Sequence, residues 1–207
     1  MNSEKKRPRL LFSGAAVWCN GSYGKPLRYV IPLLHKAGYD CAVACFYGFM
    51  GGVANTVTGK NDTPVKLYPA VRETKLNDII EYHARDFEAD AVISFQDVWV
   101  LENWGYKRGF MWLPWMPVDT DPVTPRIAKA LDGAYAPLCY SAWGTGKLLE
   151  AGWPTAKHVP LGVDLDIYRQ MDQRAARRAV GLPRTGTLPG WSQPTHRCHR
   201  ARRFPKC

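Results

Sequence analysis

Short apolar runs alternate with amphipathic segments along most of this chain, and that alternation limits the fold more than any other feature. "RLLFSG" (9–14) is an apolar run closed by glycine, the pattern of a buried strand. "PLRYVIPLLHKAG" (26–38) places Leu27, Val30, Leu33, Leu34 and Ala37 at helical spacing, with Pro26 in the first turn, Pro32 as a kink point and Gly38 as the stop. The same reading predicts strands over 40–48, 65–70, 89–97, 108–119 and 134–141. It predicts helices over 76–87, 125–133 and 143–152, and "KHVPLGVD" (157–164) closes the series.

Strand followed by helix, repeated, implies parallel strands with both faces covered. Crossovers of this length are right-handed. The expected fold class is therefore α/β, a doubly wound Rossmann-like parallel sheet. Ligands of such sheets bind outside the carboxyl ends of the strands, here 14–24, 47–52, 96–98 and 116–119. Beyond the last strand, "MDQRAARRAVGLP" (171–183) reads as a helix capped by Asp172 and ended by Gly181 and Pro183. Residues 184–207 lack apolar periodicity and are expected to be a basic, disordered tail. The abrupt change suggests a truncated or frame-shifted end, with a natural tail as the other reading.

The net charge of +10 raises the question of nucleic acid. Residues 184–207 carry +6 of it with no acid, and Lys5, Lys6, Arg7 and Arg9 supply another +4. Charge confined to the two ends reads as solvated tail rather than a phosphate-binding face. No specific nucleic acid partner is expected, no membrane span is visible, and the basic start leads into a first strand rather than a secretory signal. A cytoplasmic location follows. The six cysteines form neither a disulfide framework nor a paired zinc motif. "HRCH" (196–199) lacks a second pair of ligands, so no metal site is expected.

Two phosphate-binding motifs fail on spacing. Gly14 is followed by Ala15 and Ala16, so G-x-G-x-x-G is absent, and "YGKP" puts Pro26 where a P-loop needs a hydroxyl. The loop itself, Asn20, Gly21, Ser22, Tyr23 and Gly24, still places small residues where a backbone can approach a ligand closely. A plain turn is the competing reading.

Four segments carry a family resemblance. "GAYAPLCYSAWGTGKLLEAGW" (133–153), "KHVPLGVDLDIY" (157–168, with Pro160, Gly162, Val163, Asp164 and Tyr168) and "RRAVGLP" (177–183) resemble pieces of GT-B glycosyltransferases of the family-four type. "PWMPVD" (114–119) is similar to a segment of phage and bacterial members. The resemblance implies an N-terminal, acceptor-side Rossmann-like domain over 8–165. Residues 166–183 would be the linker and start of a donor domain that is missing here. It implies transfer of a sugar from a nucleotide-sugar donor to an acceptor hydroxyl, with no covalently bound cofactor. The implied partners are a sugar or glycan acceptor and a companion domain or second chain across the cleft.

Relatives carry a histidine after the fourth strand, where this chain has "SFQDVW". Asp97 is the candidate acid–base group in its place, and a loop carboxylate is the plainer reading. Asn20, Gly21, Ser22, Tyr23, Gln96, Trp99 and Asp119 are the candidate substrate-binding residues. Trp99 and Trp104 are candidate stacking surfaces for a sugar ring, whereas Trp112 sits in a strand and is expected to be buried. His35 and His83 read as surface or boundary residues. The alternative function is a non-catalytic carbohydrate- or partner-binding domain.

Overall fold

The computed structural model describes residues 7–107 and 109–183. The segment 184–207, with its expected disorder and its "HRCH" cluster, lies outside the described residues. Contacts divide the chain into a unit ending at Val163 and another beginning at Asp164.

Side chains of the first two strands alternate between two separate cores. In β1 (Arg9–Ala15), Leu11 enters one core and Phe12 the other. In β2 (Asp40–Tyr47), Ala42 and Ala44 join Leu11, while Cys41, Val43 and Cys45 join Phe12. A strand buried on both faces needs cover on both faces. The remaining strands are β3 (Ala54–Thr58), β4 (Thr63–Pro69), β5 (Ala91–Phe95), β6 (Met111–Met116), β7 (Leu138–Cys139) and β8 (Lys157–His158). They form one sheet in the order β3-β4-β2-β1-β5-β6-β7-β8, parallel throughout except for the β3–β4 pair. The architecture is Rossmann-like α/β, as expected.

Helix α1 (Lys25–Lys36) covers the second core with Leu27 and Ile31, both fully buried. Each contributes about 2 kcal/mol of apolar burial. Helices α2 (Ile80–Phe87), α3 (Pro125–Ala130) and α4 (Ala142–Glu150) cover the first core through Ile80, Ile127 and Leu148. Thr124 caps α3 by accepting from the Ile127 amide, and Ser141 caps α4 by accepting from the Gly144 amide at 3.0 Å. Pro32 sits inside α1, which continues through it.

Several elements differ from expectation. β3 was not expected: its side chains are mostly exposed or half-buried, and it pairs antiparallel to β4 across a short turn. β7 shrinks to two residues within the predicted 134–141. α2 begins at Ile80 rather than 76, because Leu76 takes a positive φ of 65° and turns the chain. His83 is buried rather than peripheral, with Nε2 at 2.9 Å from the Pro69 carbonyl and its ring against Tyr68. Burial lowers its pKa, which keeps the ring neutral.

In the second unit, the Asp164 carboxylate accepts from the Asp166 amide at 2.9 Å. Helix α5 (Gln173–Ala179) begins where the Asp172 carboxylate accepts from the Ala175 amide, as the sequence predicted.

The buried thiols set an alkaline limit. Burial raises Cys41 and Cys45 from 9.0 to about 12. Folding therefore gains nothing from them below pH 9, and stability is lost progressively as pH rises from 9 towards 12, where unfolded thiols ionise first. Denaturant titration under reducing conditions is expected to show a loss of roughly 1 kcal/mol per thiol by pH 10 relative to pH 8. Cys45→Ala should shrink that loss; an undiminished loss in Cys41→Ala and Cys45→Ala alike would refute the assignment.

Candidate functional site

Strand order reverses at β1, which has β2 on one side and β5 on the other. Sheets of this type open a crevice at that reversal, outside the carboxyl ends. Two segments leave the sheet there: the 16–24 loop after β1, and Gln96–Asp97 after β5.

A hydrogen bond joins them. The Tyr23 hydroxyl donates to Asp97 Oδ2 at 3.0 Å. The Tyr23 ring stands edge-on to Phe46 and Phe95, with centroids 5.7 and 5.8 Å away. Burial, then the neighbouring Asp97 charge, push the Tyr23 hydroxyl up to about 12. It stays protonated at neutral pH and remains the donor in this pair. Behind it, Phe95 packs on Trp115 and Tyr140. Trp115 Nε1 donates to the Val159 carbonyl at 2.8 Å, and the Tyr140 hydroxyl donates to the Trp115 carbonyl at 3.1 Å. Burial raises the Tyr140 pKa. The dyad thus rests on a rigid aromatic wall.

The 16–24 loop is pinned from several directions. The Ala15 amide donates to Tyr23 O, and the Ala16 amide to Tyr47 O at 2.9 Å. Arg28 reaches back from α1, with Nε on Val17 O at 2.8 Å and a terminal nitrogen on Asn20 Oδ1 at 3.3 Å. Trp18 Nε1 donates to the Gly48 carbonyl at 2.9 Å. The loop folds so tightly that a Cβ on Gly24 would lie 2.7 Å from the Ala16 carbonyl oxygen and 2.8 Å from Cys19 Cβ. Gly48 has a φ of +80°, and a Cβ there would lie 2.1 Å from Cys19 Sγ.

The structure brings some of the predicted site residues together and separates others. Tyr23 and Asp97 are brought together, with Asn20, Gly21 and Ser22 exposed on the same loop. Gln96 lies beneath, 3% exposed, and donates from Nε2 to Ser13 Oγ at 3.1 Å inside the sheet. Trp99 is exposed in a short 3-10 turn, with the Arg126 guanidinium 4.5 Å over its ring. Asp119 is exposed, three residues past β6; among the described residues no hydrogen bond or ion pair joins it to Asp97. Trp104 does not stack on anything outside the fold. It is 1% exposed, packs on Trp112 and donates to Asn77 Oδ1 at 2.6 Å, so burial replaces the expected platform. Trp112 is buried as expected. Sequence reasoning missed Trp18, whose place at the end of an apolar run hid its exposure.

Among the described residues, no cluster of three or more histidines, cysteines or acids is arranged to hold a metal ion. None of the helices among them is long and apolar enough to cross a membrane. A cavity of about 380 Å³ opens at the opposite, amino end of the strands, lined by residues including Arg9, Asp40, Lys66 and Asp86. Its charges are paired: Lys66 to Asp86 at 2.7 Å and Asp40 to Arg7 at 3.3 Å.

No family model matches the chain. No curated protein matches it. A solved structure of sucrose-phosphate synthase from Thermosynechococcus elongatus is similar to it, with a TM-score of 0.48 and 13% identity, over 84% of this chain and 96% of that one.

The Gly48–Cys19 contact yields a test. Gly48→Ala is expected to cost about 1–3 kcal/mol, through the left-handed backbone and the collision with Cys19 Sγ. Adding Cys19→Ala should recover part of that loss, because the collision is removed while the backbone strain remains. Denaturant melts of the two single variants and the double variant measure the coupling; strict additivity would refute the contact.

Proposed function

We propose that residues 8–165 are the acceptor-side domain of a GT-B glycosyltransferase, taking a sugar or glycan acceptor at the carboxyl rim of the sheet. One observation carries the reading: the Tyr23–Asp97 pair stands at the strand-order reversal, where a ligand of this fold class is expected, beside an exposed polar loop. The resemblance of 157–168 to the linker of family-four enzymes supports it.

In this reading Asp97 orients an acceptor hydroxyl and accepts its proton as the oxygen bonds to the anomeric carbon, while the bond from that carbon to the diphosphate breaks and the nucleoside diphosphate leaves with the electron pair. Tyr23 holds Asp97 Oδ2 and fixes the direction of the carboxylate. The nucleotide-sugar donor would be held outside residues 8–165, by a companion domain or a second chain facing the rim. A non-catalytic, partner-binding role is the second reading. It is favoured by the apolar side chains exposed at and just beyond the end of β2: Tyr47 at 68%, Met50 at 91% and Val53 at 52%.

Amide chemical-shift mapping with a glycan panel tests the site. Shifts are expected to concentrate in 16–24 and 96–99 and to weaken in Asp97→Asn. Shifts confined to the amino-end cavity, or none at all, would overturn the proposal. The 1–207 polypeptide alone is expected to release nucleoside diphosphate from UDP-, GDP- or ADP-glucose at background rate. Robust release would show that the donor is also held within this chain.

A further inference from the structure

Trp18 is a large aromatic side chain left half-exposed on the loop that leaves β1. Its indole N–H is already satisfied by the Gly48 carbonyl at 2.9 Å. Its ring is braced edge-on by Phe49, with centroids 6.0 Å apart and planes at 75°. The backbone on either side is held by the bonds from Ala16 to Tyr47 and from Cys19 to Ala16, both 2.9 Å. Even so, Trp18 remains 48% exposed. A large side chain with its polar atom spent internally and its rotamer fixed has one thing left to offer, its apolar face. Fixing it in advance removes the ordering cost that a mobile tryptophan would bring to binding.

Trp99 differs, because the Arg126 guanidinium already occupies one face of its ring. The surroundings of Trp18 are also particular. The next exposed residues along the loop are Asn20, Gly21 and Ser22, followed by Tyr23 with its bond to Asp97. Along the loop an exposed apolar ring is thus followed in sequence by amide and hydroxyl side chains, the two kinds of surface that suit a pyranose, with its C–H face and its rim of hydroxyls.

We propose that Trp18 is the stacking platform of a sugar subsite on the 16–24 loop. This rests on the acceptor-side reading and adds to it the residue that receives the ring. The ring's C–H face lies on the indole, and its hydroxyls meet Asn20 and Ser22. The bound ring is thereby directed towards the Tyr23–Asp97 pair.

Saturation-transfer NMR on the full 1–207 chain tests this with methyl β-glucoside, methyl α-mannoside, N-acetylglucosamine and cellotetraose as probes. At least one probe is expected to bind, with the strongest transfer to ring C–H protons of a single face. Trp18→Ala should weaken its affinity about five- to tenfold, and Trp18→Phe should keep part of it. Trp143→Ala, on α4, should leave it unchanged. Amide spectra of each variant establish that the fold is intact. If Trp18→Ala unfolds the chain, Trp18→Phe decides: affinity equal to the parent overturns the platform. Binding that ignores Trp18 overturns this inference and leaves the acceptor-side reading standing. No binding by any probe overturns both. Glycan affinity unchanged in Trp18→Ala while self-association by light scattering disappears would assign the plate to a second copy of the chain instead.

Discussion

Parallel pairing on both sides of β1 is the constraint from which the rest of this structure follows. β1 pairs with β2 over Arg9–Ala15 and with β5 over Leu10–Ser13. A strand with neighbours on both sides and cores on both faces has no route to solvent except through its ends. The loops at its carboxyl end and at that of β5 must therefore diverge, and the opening between them is where the Tyr23–Asp97 bond forms. The aromatic wall of Phe95, Trp115 and Tyr140 stiffens the floor of that opening. Buried polar groups complete it: Ser13 receives Gln96, and Ser94 receives Trp112 Nε1 at 2.9 Å. Each of these hydroxyls is paired, which is what allows polar atoms to sit in the middle of a sheet.

The loop after β1 shows how local chemistry creates a fixed geometry without regular structure. Glycine at 24 lets the chain double back onto Ala16 and Cys19, and glycine at 48 lets Cys19 settle against the end of β2. Arg28 then ties the loop to the helix that follows it. A segment that would otherwise be mobile is held by its own neighbours, so its exposed side chains are presented in one arrangement.

Much of the fold was legible because burial imposes period. β1, β2, β5 and α1 follow from apolar runs and helical spacing, and the cap of α5 follows from Asp172. What escaped was set by partners far along the chain. β3, "ANTVT", is an edge strand with little burial, so it lacks the apolar signature and exists because β4 pairs with it. Trp104 sits in a polar-looking loop and is buried by packing on Trp112, with its N–H accepted by Asn77, 27 residues earlier. The candidate residues Tyr23 and Asp97 could each be named from sequence, but not their bond, which spans 74 positions. Trp18 was hidden for the opposite reason, since an apolar run ending in tryptophan reads as core.

The two margins of the sheet differ in design but share an effect. One is closed by β3, a five-residue strand running against the grain of the sheet, with Asn55 and Val57 exposed. The other tapers through β7 to β8, each two residues long. Neither margin gives an incoming strand a long, flat, apolar template. Sheets bounded in this way resist stacking edge to edge into fibrils.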